Sequence, residues 1–99
     1  MKIEMTKDSG KLTAKITGSI ETVTAPELEK ELKTQWDNVT ELILDFTAVD
    51  YISSAGLRVM MSADQRMTDA DGKMSIRNAN DDVKEVFEMT GFDDLLHFE

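Results

Sequence analysis

The run Leu42-Ile43-Leu44, held between Glu41 and Asp45-Phe46, constrains the fold more than any other stretch of this chain. Consecutive apolar residues suit a strand only where both of its faces are covered, so Glu41 to Phe46 is expected to be a central strand. The segment before it has a different period. Ile3 and Met5 sit two apart, and after Asp8-Ser9-Gly10 come Leu12, Ala14 and Ile16, separated by Thr13 and Lys15. Period-two alternation on both sides of a Gly-containing turn predicts a β-hairpin with one buried face, its second strand closed by Gly18.

Helix signals separate the remaining strands. Thr24 with Pro26 and Glu27 forms a capping-box pattern, and Leu28, Leu32 and Trp36 then recur every four residues as one apolar stripe. Past the central strand, Thr47 to Ile52 reads as a loop leading to Ser53-Ser54 and a second helix, roughly Ala55 to Asp69, with Leu57, Met60, Met61 and Met67 inward. Asp71-Gly72 reads as a turn, and Lys73 to Arg77 as a short strand with Met74 and Ile76 on one side. Asn80 is the expected N-cap of a third helix, with Asp81 and Asp82 at its positive end and Val83, Val86, Phe87 and Thr90 on its inner face. Gly91 then stands at C′ before apolar Phe92, and Leu95 to Phe98 can add a last short strand.

The predicted order is β-β-α-β-α-β-α-β. Strands that alternate with helices imply crossover connections, hence a single α/β domain over residues 1–99. Its expected form is a mixed sheet of four or five strands with the three helices packed mainly on one face. No linker, repeat or low-complexity segment interrupts it.

Composition narrows the chemistry. There are no cysteines, which excludes disulfides, thiolate catalysis and Cys-based metal sites. The net charge of −9 disfavours nucleic acid and anionic membrane surfaces, and the spread of acidic residues reads as a solvated acidic surface or as a preference for partners with basic patches. No apolar run approaches the ~20 residues of a membrane span, and the start MKIEMTKDSG lacks the apolar stretch of a signal peptide. A cytoplasmic location is the resulting expectation. The acidic pairs lack the spacing of a Ca²⁺ loop, and His97, the sole histidine, reads as a surface or packing residue, so neither metal nor cofactor is expected. Seven methionines at helical spacing read mostly as core filler.

The sharpest local feature is Asp50-Tyr51-Ile52-Ser53-Ser54-Ala55-Gly56-Leu57. It joins a strand to a helix at the carboxyl edge of the sheet, where α/β proteins tend to place their sites. Ser53 or Ser54 can cap the helix, and capping alone accounts for such a serine. Ala55-Gly56 would also leave the first turn open to a partner's backbone or to a phosphate, which the free N–H groups and positive helix end favour. A hydrolase reading is weak, because Ser-Ser-Ala-Gly lacks the leading glycine of a nucleophile elbow. Nucleotide binding lacks a Gly-rich phosphate loop.

The segment resembles the signature of STAS domains, in particular of anti-sigma factor antagonists, which read D-S-[ST]-G-L at this point. Three further stretches are similar in register: Gly18 to Ala25, Leu42 to Phe46, and Val83 to Gly91. The resemblance implies that Ser54 is a phosphoacceptor and that Glu21, Thr22, Ser53, Ala55, Gly56, Leu57 and Arg58 belong to a partner-binding surface. It further implies a partner that is both anti-sigma factor and serine kinase, of the histidine-kinase-like ATPase type. The unphosphorylated form would bind that partner and free the sigma factor, and phosphorylation would reverse this. Within the same fold, the alternative is a phosphorylation-independent adaptor of a transporter or sensory assembly. The sequence departs from the pattern at Ser53, where many members have Asp, at Ala55, where they have Ser or Thr, and at Glu21, in place of an Asp. The family usually ends in a further helix after the last strand, and that helix is expected to be absent.

Overall fold

A computed structural model describes residues 1–99. The chain forms β1 (Lys2–Asp8), β2 (Lys11–Ile20), α1 (Ala25–Gln35), β3 (Glu41–Ile52), α2 (Ser54–Asp69), β4 (Lys73–Arg77), α3 (Asp81–Thr90), a 3₁₀ turn (Phe92–Asp94) and β5 (His97–Phe98). The five strands make one sheet in the order β1-β2-β3-β4-β5. β1 and β2 pair antiparallel, and every later pair is parallel. Ser9 and Gly10 both take positive φ, 48° and 86°, as a two-residue hairpin turn between the paired Asp8 and Lys11 requires.

Each crossover from β2 onward moves one strand further in the same direction. Right-handed connections then place all three helices on one face. The side chains agree. Leu12, Ala14 and Ile16 of β2, Leu42, Leu44 and Phe46 of β3, and Met74 and Ile76 of β4 all join one core with Leu28, Leu32, Met60, Met67, Val83 and Phe87 from the helices. The central position expected for β3 is borne out, with Leu42, Ile43 and Leu44 all at most 1% exposed.

The opposite face of the sheet carries no helix and is built from charge. Glu4, Lys15, Asp45 and Arg77 stand side by side across four strands, and Asp8, Lys11, Glu41 and Lys73 form a second row. Sign alternates at every step, so each charge faces opposite neighbours. With Lys2 and Glu99 this face holds five charges of each sign, and the net −9 therefore lies elsewhere on the molecule.

Several expectations need correction. β2 does not end at Gly18 but continues to Ile20, with register irregularities between Lys15 and Thr17 and between Gly18 and Ile20. Gly18, at φ 109°, accommodates this irregular stretch. Thr47 to Ile52 is not a loop. It extends β3 alongside the lengthened β2, pairing Ala48 with Thr17, Val49 with Gly18 and Ile52 with Ile20. The Thr24 capping box does not form: the Thr24 hydroxyl donates to Ser19 O (2.7 Å) and accepts from Glu21 N–H (2.9 Å), bracing the connection before α1. Trp36 and Met61 are only half-buried, and Thr90 is exposed, its hydroxyl donating to Val86 O. The second helix starts one residue earlier than expected, at Ser54. The last strand is shorter than Leu95 to Phe98, and Leu95 itself is exposed.

Candidate functional site at the start of the second helix

β3 ends at Ile52, Ser53 is extended, and α2 begins at Ser54. Two contacts fix this junction against the neighbouring strand. Ser53 N–H donates to Ile20 O at 2.9 Å. Gly56 is buried, and a Cβ there would stand 2.6 Å from Ile52 Cγ1, 2.8 Å from Ile20 Cγ2 and 2.9 Å from Ile20 O. Helix α2 can therefore approach the ends of β2 and β3 only because residue 56 has no side chain. This revises the expected role of Gly56: its smallness serves packing inside the domain. Leu57, also expected on the partner surface, is 3% exposed and belongs to the core.

Ser54 lies on the outside. It is the first residue of α2 and is exposed. Leu57 N–H donates to Ser53 O at 2.9 Å, so the N–H groups of Ser54, Ala55 and Gly56 precede the first helical bond. Ser53 does not cap them through its side chain, and its Oγ is buried without a partner. The first turn of α2 contains no acidic residue. The positive helix end next to Ser54 thus has no acidic residue of its own first turn to balance it.

The β2–α1 connection borders this edge. Glu21 is half-buried, with its carboxylate accepting Val23 N–H at 3.2 Å and its carbonyl accepting Ala25 N–H at 2.7 Å. A groove of about 300 Å³ runs between the starts of α1 and α2, lined by Thr22, Ala25, Pro26, Glu29, Ala55, Arg58 and Val59. It brings together Thr22, Ala55 and Arg58 from the residues singled out in the sequence.

Two residues at this edge escaped the sequence reading. Val23, on the β2–α1 connection, is 79% exposed, and Tyr51, near the end of β3, is 52% exposed. Both lie inside the motif stretches, and neither falls on the period of a buried face. That was the signal available for them. His97 is exposed, and its expected assignment as a surface residue is met. No cluster of three or more acidic, His or Cys side chains is placed to hold a metal, and no helix is long and apolar enough to cross a membrane.

The domain thus has one helical layer and an exposed serine at a helix start that lacks a side-chain cap. The chain belongs to the STAS domain family, whose model matches residues 2–99. It is 38% identical over 93 residues to BtrV of Bordetella bronchiseptica, provisionally named an anti-sigma factor antagonist, covering 93% of this chain and 80% of that protein. An anti-sigma-B factor antagonist of Staphylococcus aureus is 28% identical over 98 residues, covering 98% of this chain and 91% of the relative. The crystal structure of an anti-sigma factor antagonist from Mycobacterium paratuberculosis superposes with a TM-score of 0.85 at 21% identity, covering 98% of this chain and 83% of that one.

Proposed function

We propose that this chain is an anti-sigma factor antagonist that works by partner switching from the cytoplasm. Its unphosphorylated form binds an anti-sigma factor that is also a serine kinase of the histidine-kinase-like ATPase type, which releases the sigma factor. Phosphorylation of Ser54 switches that binding off. The observation that carries the reading is the exposed Ser54 at the head of α2, with N–H groups ahead of the first helical bond and no acid in the first turn. The names of the sequence relatives support the same class.

The energetics fit a switch without refolding. Phosphate adds about −1.5 to −2 charges at neutral pH. At the helix start those charges meet a positive dipole end and unpaired N–H groups, so the domain tolerates them. At the centre of an interface the same charges must be desolvated. Moving an equilibrium from 1:99 to 99:1 takes about 5.5 kcal/mol, within reach of a buried unpaired charge. The contact surface would be the edge around Ser54, with Glu21, Thr22, Ala55 and Arg58, while Ser53, Gly56 and Leu57 hold the junction from inside.

Calorimetry with the cognate kinase tests this. Ser54→Ala should bind like wild type and resist phosphorylation, Ser54→Asp should bind more weakly, and enzymatically phosphorylated protein should bind weakest. Equal affinity of the phosphorylated and unphosphorylated forms would reduce Ser54 to a helix-start residue and end the switch reading.

A further inference from the structure

The far end of α3 offers a second surface with its own chemistry, at the opposite edge of the sheet from Ser54. Helices α1 and α2 each carry a cation in the last turn, Lys33 and Arg66, where the helix dipole is negative. Helix α3 carries none. Glu85 and Glu88 lie toward that end instead, and Asp93 and Asp94 follow in the 3₁₀ turn. Lys84 is the only cation between Asp81 and Leu95. Carboxylates at a negative helix end repel it, so this arrangement is electrostatically unfavourable within the free domain.

The same stretch exposes apolar surface. Of the four large hydrophobic side chains that are exposed, two, Met89 (79%) and Leu95 (58%), lie in this stretch. Met89 thereby departs from the filler role expected of the methionines. A groove of about 190 Å³ opens against another side of α3 and the turn after it. Phe87 and Phe98, packed edge-to-face at 5.0 Å, are its apolar lining, and Lys84, Glu88 and Asp93 complete it. Unneutralised carboxylates around exposed apolar groups complement a segment of opposite charge that carries an apolar anchor.

We propose that the C-terminal end of α3 and the turn after it form a docking surface for a basic, amphipathic segment of a protein partner. Cations of that segment would pair with Glu85, Glu88, Asp93 and Asp94 and supply the charge the helix end lacks. An apolar side chain would cover Met89 and Leu95. Because this surface and the Ser54 edge lie at opposite ends of the strands, occupation of one leaves the other free, and the inference does not depend on the switch at Ser54.

The test uses the full chain, labelled with ¹⁵N, titrated with a synthetic helical peptide of lysine and leucine and, separately, with oligolysine. Amide shifts from the lysine–leucine peptide should concentrate between Lys84 and Leu96, and oligolysine should bind more weakly. Met89→Ser with Leu95→Ser should weaken peptide binding about tenfold or more. Both residues are exposed, so an otherwise unchanged spectrum will show that the variant is folded. Glu88→Gln with Asp93→Asn should weaken binding and flatten its salt dependence. Shifts spread evenly over the acidic helices, undiminished affinity of the Met89/Leu95 variant, or equal affinity for oligolysine would each overturn the proposal.

Discussion

Helices α2 and α3 begin in the same way on the backbone and differently in every other respect. Both start from an extended residue, Ser53 with ψ 179° and Asn80 with ψ 170°. Asn80 closes its helix: its side-chain oxygen accepts Val83 N–H at 2.8 Å, and its amide donates to Val49 O at 3.0 Å. Asp81 and Asp82 then fill the positive end with negative charge. Ser53 closes nothing. Its hydroxyl is buried without a partner, and no acid follows in the first turn. One start is complete within the domain, and the other is held by packing of Gly56 on Ile20 and Ile52. The difference teaches that α2 is positioned by its sheet contacts rather than by a side-chain cap.

The largest way to break that arrangement is Gly56→Ala. Helix propensity alone would favour alanine by about 1 kcal/mol. The added methyl would meet a backbone oxygen, Ile20 O, at 2.9 Å and two isoleucine side chains nearer still. Backbone cannot move aside as a flexible side chain can, so overpacking wins, and a net loss of about 1–3 kcal/mol is expected. Urea unfolding measures it. A stabilised Gly56→Ala protein would show that α2 rests on the sheet less closely than the contacts indicate.

A pair of cap substitutions sharpens the same contrast. Asn80→Ala removes a cap and a tie to β3, for a loss of about 1–2 kcal/mol. Ser53→Ala removes a hydroxyl that makes no bond, and its stability should stay within about 0.5 kcal/mol of wild type or rise. Matched unfolding curves of the two variants decide the point. If Ser53→Ala lost as much as Asn80→Ala, Ser53 would be capping α2 in solution, and the two helix starts would be alike.

What was legible in the sequence follows the range of the forces involved. Asn80 and Gly91 act within a few residues of themselves, and both stand where the local rules put them: Asn80 caps α3, and Gly91 takes φ 78° after its last turn. The hairpin turn and β4 are equally local. The second half of β3 was illegible because its partner is irregular. Val49 and Ile52 are buried three residues apart, which hides a strand's period of two. Thr24 carried the sequence mark of a cap, but Ser19 O and Glu21 N–H, groups outside the helix, claimed its hydroxyl. At the site, the helix start next to Ser54 could be read from the motif. The burial of Gly56 could not, since it depends on Ile20, thirty-six positions back along the chain.

The smallest expected effect separates the two helix starts by pH. The approach to α3 passes Asn78, at φ 61°, whose side chain donates to Thr47 Oγ1 at 3.0 Å. Thr47 in turn donates to Asp45 Oδ1 from its hydroxyl (2.6 Å) and its N–H (3.0 Å). The bond donated by the Thr47 hydroxyl, above all, holds the Asp45 carboxyl below its ordinary value of 3.8. A carboxylate with a depressed pKa contributes stability that is fully present above 3.8 and is lost as pH falls through its folded value. Acid should therefore loosen the Asp45–Thr47–Asn78 chain and, through Asn78, the approach to α3. The start of α2 has no such titrating support. Hydrogen-exchange protection of Val83 and Lys84 should thus fall relative to that of Leu57 as pH drops from about 5 to about 3. In Asp45→Asn the amide cannot titrate, so the relative protection should be flat over the same range. A wild-type ratio that does not change with pH would mean that the Asp45 chain bears no load at α3, and the contrast between the two starts would then rest on Asn80 alone.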